Sequence, residues 1–107
     1  MQVKFKKLTA TAKRPTYGSA GAAAFDIYAD VLGLWMGISA GDTRVVTTGI
    51  AVEIPPGHVL RIYSRSGHGF KDGVSLANSV GVIDSDYRGE IAVALHNAGR
   101  ANFHVNH

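Results

Sequence analysis

Cysteine is absent from the 107-residue sequence. Its absence excludes a disulfide framework, a thiolate metal site and a cysteine nucleophile, although it does not by itself identify a cellular compartment. Long apolar runs are also missing: none approaches the roughly 18 residues of a membrane-spanning helix, and no basic segment followed by an apolar one opens the chain. We therefore expect a cytoplasmic protein without a membrane partner.

Charged residues are scarce, at 18% of the chain, whereas apolar residues make up 46%. This balance is typical of a globular protein, and the length fits a single domain over residues 1–107. The net charge of +3 and a pI near 9.5 suit a small anionic ligand. The densest basic cluster, Lys4, Lys6 and Lys7, alternates along a strand-like segment, and no basic block resembles a nucleic-acid-binding stripe. We expect no nucleic-acid partner.

No segment has the apolar periodicity of an amphipathic helix. Instead, β-prone runs recur about every ten residues, which is typical of an all-β sandwich or barrel. Thr43–Ile54 is predicted to be one long strand with a bulge at Gly49, and Arg65–Gly73 is predicted to be a loop. A short strand and a loop are expected over 31–41. The other expected strands are Gln2–Leu8, Phe25–Tyr28, His58–Ser64, Val74–Ala77, Val80–Ile83, Glu90–Asn97 and Phe103–Val105.

The richest chemistry lies between two β-prone runs, Val80–Ile83 and Ile91–Leu95. They flank the polar segment Asp84–Gly89, a pattern that predicts a β-hairpin with a long tip. Asp84 could orient and deprotonate a water molecule, and Tyr87 offers a flat face against which a sugar can pack. Aspartate, serine and glycine are also the commonest turn residues, so a plain turn is the simpler alternative.

Two further segments suit a phosphorylated ligand. Asp26 is a lone carboxylate in an apolar strand, where it could ligate Mg²⁺ or simply face solvent. Ser64–Lys71 offers backbone N–H groups, a hydroxyl and positive charge for a phosphate, although an ordinary basic loop has the same composition. His104 and His107 lack further candidate ligands nearby, so a metal site is not expected there. Metal ligand, phosphate cradle and water activator together are what hydrolysis of a nucleoside polyphosphate requires.

Several segments match the motif pattern of a known family. Gly81–Ile91 matches its third motif almost letter for letter, Arg65–Gly67 matches its second, and Ala24–Ala29 resembles its first. Gly41–Thr43 and Thr48–Ile50 match the linking segment. Through these motifs the chain resembles the homotrimeric dUTPase (dUTP diphosphatase) family, in a bacterial or phage style, over most of its length.

The resemblance implies a fold, an assembly and a reaction. The fold would be a distorted, jelly-roll-like β-barrel of the dUTPase type. The assembly would be a homotrimer whose active sites lie between subunits. The reaction would be Mg²⁺-dependent attack of water on the α-phosphorus of dUTP, which releases dUMP and pyrophosphate.

The resemblance also assigns a role to each matching residue. Asp84 would be the catalytic base that activates or positions the attacking water, and Tyr87 would stack under the deoxyribose and exclude a 2′-hydroxyl. Asp26 would hold Mg²⁺ through water. The remaining residues would bind substrate: Asn78 and the backbone of Gly81, Val82 and Ile83 would read uracil, and Ser66, with Arg65 and Gly67, would bind the phosphate chain.

The related dCTP deaminases share the implied fold but usually have a serine at the position of Gly67 and a Gly-Phe pair at Asp86-Tyr87, so the sequence favours dUTPase. The family usually has glycine in place of Ala24. The chain ends at His107, where a fourth motif would begin, and the glycine-rich fifth motif does not follow. This predicts a domain truncated at its C-terminus, either a fragment or a shortened relative.

Two alternatives to the enzyme stay open at this point. One is a non-catalytic, dUTPase-like nucleotide-binding or regulatory module, which the missing motifs favour. The other is a purely structural trimeric β-domain. The apolar segment around Trp35 and Met36 is either local packing or an additional contact surface.

Overall fold

A computed structural model of the chain describes residues 1–31, 33 and 35–107. Within these residues the secondary structure is almost entirely β, with one short helix, which confirms the predicted all-β class. No described helix has the length and apolar character needed to cross a membrane. The elements are β1 (Lys4–Lys7), β2 (Thr16–Tyr17), β3 (Phe25–Asp26), β4 (Trp35–Ile38), β5 (Thr43–Thr47), β6 (Ile50–Glu53), β7 (Leu60–Tyr63), α1 (Ser66–Asp72), β8 (Val74–Leu76), β9 (Val80–Ile83), β10 (Ala92–Asn97) and β11 (Phe103–Asn106).

The described strands form small antiparallel sheets. The largest has the order β5-β10-β8, and the other strands form the pairs β1–β6, β2–β3, β4–β11 and β7–β9. Most neighbours in these sheets are distant in sequence, because apolar faces rather than short turns decide the pairing. The arrangement is compatible with the expected jelly-roll-like fold, although the pairs do not join into one closed ring of hydrogen bonds within the described residues.

Two apolar clusters form the core. The first contains Ile38 and Val46, and the second is centred on Ile91, which is completely buried. They arise because alternate residues of each strand point to the same side of its sheet. Burying each of these branched side chains contributes about 1.5–3 kcal/mol. The other buried members are Val31 and Val105 in the first cluster, and Val52 and Ile54 in the second.

The prediction of one long strand over Thr43–Ile54 with a bulge at Gly49 is wrong. The chain changes sheets at this glycine: β5 pairs with β10, whereas β6 pairs with β1. Gly49 has φ of 68°, and a Cβ there would lie 2.6 Å from an Asp30 carboxylate oxygen and 2.8 Å from Thr9 Oγ1. Only glycine satisfies both the backbone conformation and the space. The β-branched residues on both sides concealed the break.

The predicted β-hairpin is also not formed. β9 pairs with β7, with Gly81 opposite Ile62 and Ile83 opposite Leu60, whereas β10 pairs with β5 and β8. The 84–89 segment therefore connects two sheets rather than two strands of one hairpin. Apolar patterning identified both strands correctly but carries no information about which strand lies beside them.

The segment predicted as a loop, Arg65–Gly73, contains the helix α1. This helix buries none of its residues, and it ends at Gly73 in the left-handed conformation, whose N–H donates to the carbonyl of His68. A helix without a buried face has no apolar periodicity, so the sequence pattern could not reveal it.

Trp35 and Met36 both make local packing contacts, but Trp35 remains 55% exposed, so an additional contact surface at Trp35 stays a prediction. The Trp35 ring stacks on His104 of the neighbouring strand, with ring centroids 4.6 Å apart, and a Cβ on Gly37 would lie only 3.3 Å from it. Met36 packs against the first core cluster. The glycine leaves room for the indole to lie along its own strand. Leu32 and Leu34, part of the predicted 31–41 segment, lie outside the described residues.

Asn97 is a polar side chain that is completely buried at the end of β10. Its Nδ2 donates to the carbonyls of Ile38 (2.9 Å) and Ala101 (2.8 Å), and its Oδ1 accepts from the N–H of Gly99 (2.9 Å). Every hydrogen-bonding atom of the amide is thus used, and the side chain joins β10 to β4 and to the 98–102 turn. A buried amide is tolerated only when it is paired in this way.

Replacing Asn97 by alanine should destabilise the fold. The substitution removes the Asn97 partner of one buried carbonyl, that of Ile38, and of two partly buried groups, the Ala101 carbonyl and the Gly99 N–H, which should lower the free energy of unfolding by about 2–4 kcal/mol. Urea unfolding followed by circular dichroism measures the change. The exposed Asn102→Ala provides the matched control and should change stability by less than about 0.5 kcal/mol. Equal stability of the two variants would contradict the role of Asn97.

Asp30 connects three distant segments. Its carboxylate accepts hydrogen bonds from Thr9 Oγ1 and Thr11 Oγ1, each at 2.6 Å, and His107 Nε2 lies 2.9 Å away. The hydroxyl of Thr11, then that of Thr9, and more weakly His107 lower the pKa of Asp30, against an opposing effect of partial burial. The cluster holds the N-terminal segment against the residues that follow β3, close to Asp26 in sequence.

The lowered pKa of Asp30 predicts acid sensitivity. The folded state favours the carboxylate, so this group stabilises the protein fully above its unfolded pKa, about 3.9. That stabilisation should disappear as the pH falls through the lower folded pKa. Urea midpoints between pH 7 and pH 3 should therefore fall less steeply in Asp30→Asn, which is already destabilised at neutral pH, than in the wild type. The exposed Asp42→Asn should keep the wild-type slope; an unchanged slope in Asp30→Asn would refute the assignment.

Candidate functional site

Asp26, Arg65 and Ser66 line one open cavity of about 730 Å³, here called the Arg65 cavity. β3 supplies Asp26, and the junction between β7 and α1 supplies Arg65 and Ser66. Arg65 Nε lies 3.8 Å from Asp26 Oδ1, and about two thirds of the Arg65 side chain remains exposed. A carboxylate, a guanidinium and a hydroxyl therefore face the same open volume.

Local hydrogen bonds hold the strands that carry the residues of this cavity. Ser64 Oγ accepts from the N–H of Leu76 at 2.9 Å, which attaches the end of β7 to β8 just before Arg65. Thr16, which is opposite Asp26 in the β2–β3 pair, makes a hydrogen bond with the hydroxyl of Tyr28. Both sides of the Arg65 cavity are thus held by the sheets beneath them.

Asn78, Gly81, Val82 and Ile83 line a second cavity of about 490 Å³, here called the β9 cavity. Among the described residues β9 pairs only with β7. In an antiparallel pair alternate residues direct their N–H and C=O groups away from the partner strand, so the outer edge of β9 offers donors and acceptors to a ligand.

The 84–89 loop holds Tyr87 in a defined position. The Tyr87 hydroxyl donates to the carbonyl of Glu90 at 2.8 Å, and its N–H donates to the carbonyl of Asp84 at 3.1 Å. Arg88 Nη1 donates to the carbonyl of Ser85 at 2.7 Å, which closes the loop. Tyr87 is 42% exposed, so its ring is oriented and still accessible.

Glu90 secures the end of this loop. Its Oε2 accepts from the N–H of Gly49 at 2.8 Å, and the next residue, Ile91, donates from its N–H to the carbonyl of Ile50 at 2.9 Å. The loop that carries Asp84 is therefore attached to the point where the chain changes sheets.

The structure brings the predicted site residues together in two groups rather than one. Asp26, Arg65 and Ser66 do not line the β9 cavity, and the residues of the 78–83 segment do not line the Arg65 cavity. Three apolar residues line both cavities: Ile62, Leu76 and Val93. Asp84 is exposed in the loop that follows β9. Gly67 lies in α1, and a Cβ there would have no atom within 4 Å.

His104 and His107 do not form a metal site in the described part of the chain. No group of three potential histidine or acidic ligands is present there. His104 stacks on Trp35, and His107 pairs with Asp30.

Sequence reasoning missed several residues that line the Arg65 cavity. Two of them could have been found from the sequence of β7. There the polar Arg61 and Tyr63 alternate with the apolar Leu60 and Ile62, which predicts that Arg61 and Tyr63 lie on the exposed face of the strand. His68 lies within the Ser64–Lys71 segment that the sequence already indicated for a phosphate, but the sequence did not single it out, because the helix that positions it was not predicted. The other missed lining residues are Tyr17 and Tyr28.

Residues 10–107 match the family model described as dUTPase. The chain belongs to the dUTPase family. Its relatives in this family include the deoxyuridine 5′-triphosphate nucleotidohydrolase of Helicobacter hepaticus, 43% identical over 106 residues that cover 99% of this chain and 65% of the relative. The corresponding protein of Nautilia profundicola is 41% identical over 107 residues, which cover 98% of this chain and 72% of the relative.

Solved dUTPase structures have the same fold. A mutant dUTPase from phage phi11 of Staphylococcus aureus, whose structure details the coordination of a structural Mg(II) ion, superposes with a TM-score of 0.79 at 25% identity. The alignment covers 92% of this chain and 61% of that one. A mutant dUTPase of Staphylococcus bacteriophage 80alpha with dUpNHpp gives 0.78 at 23% identity, over 92% of this chain and 61% of that one.

This member of the dUTPase family spans only part of its relatives' length. It covers 65% of the Helicobacter protein and 58% of the corresponding protein of Methylocella silvestris. Family membership and fold therefore rest on the matched region.

Replacing Gly89 by alanine should displace the Tyr87 ring. A Cβ at residue 89 would lie 2.6 Å from Tyr87 Oη and 2.8 Å from Cζ, so the ring must move and lose its hydrogen bond to Glu90. We expect changed Tyr87 ring signals in NMR spectra, with less than about 1 kcal/mol lost from an exposed loop. Gly21→Ala, where a Cβ meets no atom within 4 Å, is the control. Unaltered Tyr87 signals in Gly89→Ala would contradict the packing.

Proposed function

We propose that this protein hydrolyses dUTP to dUMP and pyrophosphate, with residues 1–107 acting as one dUTPase-like β domain. The observation that carries the proposal is the position of Asp84 and Tyr87 in a fixed loop directly after the open edge of β9. The base-reading edge of Gly81–Ile83, the carboxylate of Asp84 and the sugar-packing ring of Tyr87 thus lie within one short segment of chain, which places groups for the base, the attacking water and the sugar close together in the sequence.

The nucleoside would bind at β9. Its outer backbone edge, together with the amide of Asn78, provides the alternating donors and acceptors that the edge of uracil requires. The backbone of Gly81, Val82 and Ile83 would approach the base closely, so that the methyl group of thymine would clash. The face of Tyr87 would pack under the deoxyribose and leave no space for a 2′-hydroxyl. Packing of this kind rejects a hydroxyl without a new polar partner.

Asp84 would act as the general base. Its exposed carboxylate would accept a proton from a water molecule while the water oxygen attacks the α-phosphorus. As the new P–O bond forms, the bond from the α-phosphorus to the bridging oxygen breaks, and pyrophosphate leaves with that oxygen. dUMP remains at β9.

The phosphate chain would bind in the Arg65 cavity. Ser66 would donate a hydrogen bond near the scissile anhydride, and the largely exposed Arg65 guanidinium would pair with phosphate oxygens. The open space around Gly67 would allow the chain to approach the backbone. All three residues lie where β7 passes into α1.

Asp26 suits Mg²⁺ held through water. Mg²⁺ keeps several water ligands and typically uses one or two carboxylates together with substrate phosphates. A single carboxylate that is 35% exposed at the Arg65 cavity fits this type of site rather than an all-protein cage. When bound there, the ion would neutralise part of the triphosphate charge.

A homotrimer would unite the two groups of site residues. Within one chain, the Arg65 and β9 cavities are separated by Ile62, Leu76 and Val93, so a single nucleotide needs the Arg65 cavity of a neighbouring copy. The β9 side also exposes apolar surface that an assembly would cover, since Val45 and Val82 are each 62% exposed. A head-to-tail contact repeated three times closes into a ring.

Pyrophosphate release from dUTP in the presence of Mg²⁺ tests the proposal. Turnover should be confined to dUTP among dUTP, dTTP, dCTP and UTP. Asp84→Asn should reduce kcat by about 10²–10⁴-fold, because the variant can no longer take up the proton. Binding of a non-hydrolysable dUTP analogue should be retained.

Asp86→Asn is the matched control, since it removes an exposed carboxylate from the same loop and should leave turnover within about twofold of wild type. Full activity in Asp84→Asn, or an equal loss in both variants, would refute the role of Asp84. Binding of dUMP without any turnover in the wild type would replace the enzyme by a non-catalytic nucleotide-binding module.

A further inference from the structure

His68 is a titratable side chain of the Arg65 cavity to which the proposed reaction assigns no role. It lies on the first turn of α1, three residues after Arg65, and lines the same cavity as Asp26, Arg65 and Ser66. Its side chain is 48% exposed, so it is accessible to a ligand in the cavity.

Two contacts orient the imidazole ring. His68 Nδ1 lies 3.4 Å from Asp72 Oδ2, one helical turn further on. The ring also packs edge-to-face against Phe103 of β11, with centroids 5.2 Å apart and planes at 75°. A carboxylate beside Nδ1 favours a proton on that atom. Nε2 is then the atom left for a ligand, and it has no hydrogen-bond partner among the described residues.

The surroundings of His68 leave space for a ligand. Both sequence neighbours, Gly67 and Gly69, are glycines, so no side chain crowds the ring from either of them. The helix buries none of its residues. His68 therefore contributes little to a packed core, whereas its ring is held in a fixed direction.

The charges around His68 suit a polyanion. Arg65 and Lys71 on its own segment and Arg61 on β7 are positive, whereas Asp72 on α1 and Asp26 on β3 are negative. From β11 the neutral Phe103 faces the ring directly. The remaining ionisable groups that line the cavity are His104 on β11, Tyr17, Tyr28 and Tyr63.

We propose that His68 is a further phosphate-binding residue, which donates a hydrogen bond from Nε2 to the phosphates beyond the α-phosphate of a bound nucleoside triphosphate. The assignment rests on the proposed function, because it takes the Arg65 cavity as the phosphate side of the site. Asp72 is then a positioning residue that acts through His68. A monophosphate, which lacks the outer phosphates, does not reach this contact.

A hydrogen bond to a phosphate oxygen is made to a charged acceptor, so it is stronger than a bond between neutral groups. Triphosphate binding should therefore depend on His68, whereas dUMP binding should not depend on it.

Calorimetric titration of the wild type and His68→Gln with dUMP and with the imido analogue dUpNHpp tests this inference. His68→Gln should weaken binding of the analogue about tenfold, with dUMP affinity unchanged. Asp72→Asn should give a smaller loss in the same direction, because the ring is present but no longer oriented.

Two histidine variants serve as controls. His58→Gln alters an exposed residue on the 55–58 turn, outside the lining of both cavities, and should leave all affinities unchanged. His104→Gln examines the other histidine of the Arg65 cavity and should weaken the binding of dUpNHpp less than His68→Gln does.

The outcomes separate this inference from the proposed function. If the wild type binds both nucleotides and His68→Gln binds dUpNHpp as tightly as the wild type does, the role of His68 alone is overturned. A larger loss of dUpNHpp affinity in His104→Gln than in His68→Gln would also overturn it. A wild type that binds neither nucleotide would overturn the proposed function and the inference together.

Discussion

The backbone of Gly49 is the point on which the rest of the fold depends. Its carbonyl accepts from the N–H of Leu8 at 2.7 Å, and its own N–H donates to the carboxylate of Glu90. The Asp30 carboxylate and Thr9 occupy the space beside Gly49 that any side chain would need. One residue in the left-handed conformation thus joins the N-terminal segment, the segment that follows β3 and the end of the 84–89 loop. The positions of both groups of site residues follow from this junction.

The site combines rigid support with accessible chemistry. Tyr87 is partly exposed and Arg65 is largely exposed, yet each follows directly from backbone that is hydrogen-bonded to a sheet. Since exposed side chains bind ligands only when their direction is fixed beforehand, the supporting bonds of Glu90, Ser64 and Arg88 matter as much as the groups they direct. By contrast α1, which carries Ser66 and His68, buries none of its residues, so the phosphate side is supported less by packing than the nucleoside side.

Local patterns in the sequence were sufficient to predict individual strands and the family. Alternation identified β7 and β9, and the residue order of the 81–91 segment identified the family. The sequence was insufficient to predict strand pairing, because pairing depends on residues that are distant along the chain. Continuous β-branched residues concealed the change of sheet at Gly49, and the wrong hairpin prediction followed from assuming that neighbours in sequence also pair in space. Nothing local indicated that Arg65 and Gly81 face different cavities, because that separation arises from the pairing of whole strands.

The layer formed by Ile62, Leu76 and Val93 has a consequence for how the protein can evolve. These side chains are the floor of the Arg65 cavity and also the floor of the β9 cavity. A larger residue in this layer removes volume from one side or the other, and a smaller one merges two spaces that bind different parts of a ligand. Selection on either cavity is therefore selection on both, and this apolar layer should accept fewer substitutions than its hydrophobic character alone suggests.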